Sequence, residues 1–213
     1  LVRVVTREGT DIESLAQLPD KVFVLCGMEL YFYPSDVPGE KLVVRLPSDD
    51  RSVEVEVVGS TPRLMLVPNF LSPSECEEII KLSEPNMKRS TVLEQGDQAT
   101  GSRGVTQDVR TSSTYWMQNP KLPILGKVRQ RVQDLVKVPM SYAEDMQVLR
   151  YEPKQHYLVH HDFFDPSIYP NDKRWATGHN RMITVFFYLR TVEEGGGTVF
   201  PFSNPTLTAE GRR

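Results

Sequence analysis

The chain has 213 residues, 39% of them hydrophobic and 25% charged, with a formal net charge of -3. These are ordinary proportions for a globular protein with enough apolar residues to bury a core, and they offer nothing to attract nucleic acid. No apolar run reaches the roughly 20 residues that a bilayer-spanning helix needs, so no membrane segment is expected in this chain. The first residues, Leu1-Val2-Arg3-Val4-Val5, have neither an initiator Met nor a signal-peptide layout, which leaves open a presequence or anchor removed from this end.

Residues 1–61 read as a small β-rich N-terminal module with no sign of chemistry. Asp11–Leu18 could form a short helix capped by Asp11 and stopped by Pro19. Val22–Leu25, Glu29–Tyr33, Lys41–Leu46 and Val53–Val58 are rich in β-branched and aromatic residues and read as strands. Ser48–Arg51 looks like the loop of a hairpin between the last two. Gly59-Ser60-Thr61-Pro62 is the expected boundary, with a second domain over residues 62–213.

That second region opens with a short strand, Leu64–Val67. Ser72-Pro73-Ser74-Glu75 then starts a helix, with Ser72 as cap, Pro73 at the first helical position and Glu75 closing a capping box. Ile79, Ile80 and Leu82 form its buried side, and Pro85 ends it. Residues 86–110 are polar, with Gly96, Gly101 and Gly104, and read as a long functional loop. A second helix is expected from Asn119-Pro120 to about Val136, with Leu125, Val128, Val132, Leu135 and Val136 at helical spacing. Strands are then expected at Met146–Tyr151, Tyr157–Phe163, Met182–Leu189 and Thr198–Phe200. Helices followed by consecutive strands point to an α+β fold with a mainly antiparallel sheet or barrel.

Cys26 and Cys76 form no CxxC and no metal spacing, and read as two buried thiols. A single disulfide, and with it the redox compartment, stays open. No Asn-x-Ser/Thr acceptor is present, since Asn204-Pro205-Thr206 is excluded by its proline.

All four histidines, His156, His160, His161 and His179, fall in one short stretch. In His160-His161-Asp162, residues i and i+2 of a strand share a face, so His160 and Asp162 project together and His161 points away. An imidazole and a carboxylate so placed are two thirds of the facial site that holds non-heme iron(II) with open positions. Alone, His-x-Asp is a weak signal that a surface loop could produce by chance.

The flanking residues carry more. Met146-Gln147-Val148-Leu149-Arg150-Tyr151-Glu152-Pro153, running on to His160-His161-Asp162-Phe163-Phe164, resembles the metal strand of prolyl 4-hydroxylases. Arg181-Met182-Ile183-Thr184-Val185-Phe186-Phe187-Tyr188-Leu189, running into Glu193-Glu194-Gly195-Gly196-Gly197-Thr198-Val199-Phe200-Pro201, resembles that family too, as do Val109-Arg110-Thr111-Ser112-Ser113 and Phe70-Leu71-Ser72. The resemblance to this family of Fe(II)/2-oxoglutarate-dependent dioxygenases covers roughly residues 64–201.

It implies a double-stranded β-helix, or jelly-roll barrel, supported by helices, with iron held by His160 and Asp162. Tyr151 and Thr198 occupy positions that contact 2-oxoglutarate. Tyr157 and Arg181, with Arg110, Glu144 and Trp116, occupy positions on the substrate side. The implied cofactors and cosubstrates are Fe(II), 2-oxoglutarate and O2, with ascorbate as reductant, and the implied partner is a proline-containing peptide or protein. The loop of residues 163–180 is slightly longer than is usual in the family. The secretory pathway is favoured by the resemblance alone, and oligomeric state stays open.

Each residue has a plainer reading. Tyr151 and Tyr157 could be strand aromatics in a core, and strict alternation puts Tyr157 on the face opposite His160. Thr198 could be a β-branched strand residue, Arg181 a surface charge, and Gly195-Gly196-Gly197 only a turn.

The family's second iron-binding histidine and the basic residue that pairs with 2-oxoglutarate are not found, and Arg212 and Arg213 come too early for the latter. The C-terminal strands of the barrel are therefore expected to be missing and the chain to be part of a longer enzyme. The expected function is hydroxylation of peptidyl proline at C4. The competing readings are a non-catalytic binding or structural subunit, and a dioxygenase with another substrate.

Overall fold

A computed structural model describes residues 2–14, 16, 19, 22–26, 31, 33, 35, 37–90, 110–118, 122–167 and 178–203. Contacts divide the chain into two compact units. One comprises Leu1–Glu75, Asn119–Glu144 and Thr198–Arg213, and the other Cys76–Gln118 and Asp145–Gly197.

In the first unit, β1 (Val2–Val5) pairs antiparallel with β2 (Phe23–Cys26), Val4 lying opposite Val24. β3 (Lys41–Leu46), β4 (Arg51–Ser60) and β5 (Arg63–Leu66) form an antiparallel meander. The hairpin loop expected at Ser48–Arg51 is present as a tight 3-10 turn at Pro47–Asp49, followed by Asp50 at φ 47°. Period-two patterning decides which face is buried: Leu42, Val44 and Leu46 of β3 and Val53, Val55 and Val57 of β4 are inside. Cross-strand pairs such as Leu42–Val55 and Val44–Val53 knit that face. The segment expected as a domain boundary, Gly59–Pro62, ends β4 and turns into β5.

Two expectations in this unit need correction. Asp11 does not open a helix: it bridges Val5 on the backbone, and its carboxylate takes Arg3 at 2.8 and 2.9 Å. A carboxylate spent on an arginine cannot cap a helix, and most of residues 15–18 lie outside the described set. Tyr31 and Tyr33 are not in a strand either. Their rings meet edge to face at 5.5 Å, Tyr31 presses on Gly9, and the Tyr33 hydroxyl donates to the Leu135 carbonyl at 2.5 Å. The other residues of the strand expected at 29–33 are outside the described set.

Helix α1 (Pro73–Ser83) begins as expected. The Glu75 amide donates to Ser72 Oγ at 3.2 Å and the Ser72 amide to Glu75 Oε2 at 2.9 Å, a reciprocal capping box. Cys76, on this helix, is half-buried rather than buried, and the side chain of Cys26 is outside the described set. Helix α2 (Pro123–Val136) starts with Pro123 at its first position, later than the Asn119-Pro120 start expected. It packs against β3 with Ile124, Leu125, Val128 and Leu135 buried. Arg131 is buried on the same side, and its guanidinium reaches Glu75 at 2.5 Å and the Phe70 carbonyl at 2.7 Å.

In the second unit, β6 (Lys88–Arg89), β7 (Ser113–Met117) and β8 (Met146–Arg150) form an antiparallel sheet in that order. The buried hydroxyls of Ser90 and Ser112 meet at 2.8 Å across it. Residues 91–109 of the polar loop are outside the described set. The described residues thus hold two α-helices and antiparallel sheets, the α+β class expected, and no described helix is long and apolar enough to cross a membrane.

The strands expected at 157–163, 182–189 and 198–200 form no ladder among the described residues. Alternation reports that a segment suits a sheet, and a strand also needs a partner. Residues 185, 187 and 189 are half-buried while Met182, Phe186 and Tyr188 are exposed, so the period of two survives without the pairing.

Candidate active site

The site is built on residues 156–164 of the second unit, which are held at both ends. At one end Thr111 follows Arg110, which bridges Tyr157 on the backbone. The Thr111 amide donates to the His156 carbonyl at 3.0 Å, and the Thr111 hydroxyl accepts the His156 amide at 2.9 Å. At the other end Asn180 Oδ1 accepts the amides of Phe164 at 2.9 Å and Arg181 at 2.8 Å. Asn180 Nδ2 donates to the Phe164 carbonyl at 3.1 Å.

Between these anchors the chain bends rather than running straight. His160 Nδ1 lies 2.8 Å from the Leu158 carbonyl. A carbonyl only accepts, so Nδ1 carries a proton, and Nε2, the nitrogen facing Asp162, is the one that can give up its proton to a metal. His160 Nε2 faces Asp162 Oδ1 at 3.2 Å, and Thr184 Oγ1 donates to Asp162 Oδ2 at 2.5 Å. The hydrogen bond to Asp162 raises the His160 pKa above the usual imidazole value against the opposing effect of burial. The same bond holds Asp162 down at about 2, with Thr184 and Arg181 adding to it.

The bend also settles the place of Tyr157. Strict alternation puts it opposite His160, yet the two rings stack with centroids 3.8 Å apart. Arg110 is buried and lies over the Tyr157 ring at 4.6 Å, and its Nε has no hydrogen-bond partner among the described residues. Arg181 lies over the Phe164 ring at 4.8 Å, with Nη1 at 3.4 Å from the Asp162 carbonyl.

Of the residues singled out in the sequence, the structure gathers His160, Asp162, Tyr157, Arg110 and Arg181. Burial raises the Tyr157 pKa, and Tyr151, exposed just past β8, adds to it. Trp116 is exposed on β7 opposite Gln147. Glu144 and Thr198 are exposed and belong to the other unit. Thr184, Thr111 and Asn180 carry no role in the sequence reading. For Thr184 there was a signal: it is a lone small hydroxyl in the apolar run of residues 182–189.

The sequence model of the 2OG-Fe(II) oxygenase superfamily matches residues 146–210, which include every residue of the His160–Asp162 bend and Thr184. Over this stretch the chain is similar to that superfamily. It is 34% identical over 171 residues to probable prolyl 4-hydroxylase 10 of Arabidopsis thaliana, covering 79% of this chain and 56% of that protein. It is 40% identical over 154 residues to prolyl 4-hydroxylase 1 of the same plant, covering 71% of this chain and 51% of that one. Probable prolyl 4-hydroxylase 3 is likewise 40% identical, with 72% and 50% covered. The chain spans about half the length of the curated relatives it matches.

The superfamily that this stretch resembles is named for iron(II) and 2-oxoglutarate. The residues present fit such an ion in three ways. An imidazole nitrogen and a carboxylate oxygen are the donors a facial iron(II) site uses. Two neighbouring ligands of an octahedral ion with bonds of about 2.1 Å lie about 3.0 Å apart, and His160 Nε2 and Asp162 Oδ1 are 3.2 Å apart. The ring nitrogen of His160 that faces away is held by a backbone carbonyl, the usual support of a metal-binding histidine. Among the described residues, no group of three His, Cys, Asp or Glu side chains comes together as a metal site.

Proposed function

We propose that this chain supplies the metal-binding part of an Fe(II)/2-oxoglutarate-dependent dioxygenase that hydroxylates peptidyl proline, on a jelly-roll barrel. The observation that carries the reading is the His160–Asp162 pair. Its two donor atoms are at ligand-to-ligand distance, and its other polar atoms are taken up by Leu158 and Thr184.

When bound, iron(II) would activate O2 as the oxidant and 2-oxoglutarate would supply two of its four electrons in becoming succinate and CO2, one oxygen entering succinate and the other the substrate C–H bond. The protein's own residues bind and aim. His160 and Asp162 hold the ion, while Tyr151 and Thr198 are assigned to 2-oxoglutarate. Tyr157, its ring covered by His160 and Arg110, is assigned to the peptide side by its edge and hydroxyl, and Arg181 offers N–H donors to peptide carbonyls. Trp116 and Glu144 are assigned to the same peptide side. A proline-rich peptide is already extended and loses little freedom on binding such a surface.

The test is iron-dependent conversion of 2-oxoglutarate to succinate by the full-length protein, with a proline-rich peptide and mass-spectrometric detection of hydroxyproline. Turnover that disappears in His160→Ala and in Asp162→Ala supports the reading. Peptide binding without succinate or hydroxyproline points instead to a binding module. Succinate formed with other substrates but never with proline peptides points to a different oxygenase.

A further inference from the structure

We propose that Thr184 is a positioning residue that keeps Asp162 a one-oxygen metal ligand. The inference rests on the iron-site reading above. A carboxylate can give a metal one oxygen or both. If Asp162 gave both, it would take up one of the open positions that a facial site must keep for 2-oxoglutarate and O2.

The structure shows what prevents this. Thr184 Oγ1 donates to Asp162 Oδ2 at 2.5 Å, while Asp162 Oδ1 faces His160 Nε2 at 3.2 Å. The carboxylate is therefore divided, one oxygen turned to the hydroxyl and the other to the ligand partner. The backbone of Asp162 is tied to the same segment, its carbonyl lying 3.4 Å from Arg181 Nη1. Arg181 and Thr184 lie three positions apart on one segment, whose start is fixed by the Asn180 hydrogen bonds. Thr184 is exposed, so replacing it with the isosteric valine removes a hydroxyl without opening the core.

Groups that orient metal ligands typically cost about 10- to 100-fold in metal affinity when removed. The test is anaerobic titration of the full-length protein with Co(II), whose visible absorption reports coordination number. It compares wild type, His160→Ala, Thr184→Val and Thr184→Ser, with circular dichroism to verify that each is folded. The expected result is about 10- to 100-fold weaker binding by Thr184→Val with an altered cobalt spectrum, and restoration of both by Thr184→Ser.

If Thr184→Val matches wild type in affinity and spectrum while His160→Ala fails to bind, Thr184 has no positioning role and the iron site stands. If Thr184→Ser is as defective as Thr184→Val, the hydroxyl is not what matters and the proposal is overturned. If His160→Ala binds cobalt as tightly as wild type, the iron-site reading fails and this inference fails with it.

Discussion

The Tyr157 ring lies on the His160 ring, centroid to centroid at 3.8 Å and 23° from parallel. A stacked pair of this kind contributes about 0.5–1.5 kcal/mol. Tyr157→Leu is therefore expected to weaken Co(II) binding roughly 2- to 12-fold, and Tyr157→Phe to leave it unchanged. Titration of the two variants side by side checks this, and equal affinity in both would show that the ring does not steady the histidine.

Arg110 is buried, with Nε facing no partner among the described residues. On the proposed function, a peptide carbonyl completes it. Arg110→Met is expected to raise the KM for a proline peptide roughly tenfold or more, as the loss of a charge-assisted hydrogen bond does. Succinate formation without peptide should be unaffected. Steady-state kinetics with and without peptide separates the two.

Asn180 fixes the backbone at Phe164 and Arg181. In Asn180→Ala those two amides are expected to exchange with deuterium roughly 2- to 12-fold faster, the worth of one net hydrogen bond. The His156 amide, held by Thr111, should keep its rate. Hydrogen–deuterium exchange resolved to these peptides reads the outcome.

Glu75 and Arg131 make an acid-sensitive pair in the first unit. Burial pushes the Glu75 carboxyl up, but the Ser72 amide, Arg131 and Lys127 outweigh it and hold it at about 2. A folded-state pKa below the unfolded value gives stability that is present above the unfolded pKa of about 4.3 and is lost as pH falls toward 2. The full effect is at most about 3 kcal/mol. Glu75→Gln should flatten that part of the pH–stability curve. Arg131→Met, which leaves the buried carboxylate without its main partner, should cost about 3–5 kcal/mol at neutral pH. Denaturant unfolding across pH 2–7 tests both.

The start of α1 was legible because all its determinants are local. Ser72 and Glu75 are three residues apart, and their hydrogen bonds follow from that spacing. Arg131 was not. Its position in an apolar helical stripe says nothing of Glu75, 56 residues away in sequence, whose carboxylate makes its burial tolerable.

The nearness of His160 to Asp162 could be read from i, i+2 spacing, but the same rule misplaced Tyr157. A period of two holds only while the backbone stays extended, and the chain bends at Leu158–His160. Thr111 and Asn180 act through backbone groups of residues 45 and 16 positions away, which no local pattern encodes.

Residues 156–164 are in effect a suspended span, fastened to Thr111 at one bank and to Asn180 at the other. His160 and Asp162 sit near the middle, where slack admitted at either fastening is felt most. A slip of a few tenths of an ångström at residue 111 or 180 would therefore be delivered to the ligand pair, although neither residue touches it. Variation that spares every metal and substrate contact could still detune the centre by loosening a bank.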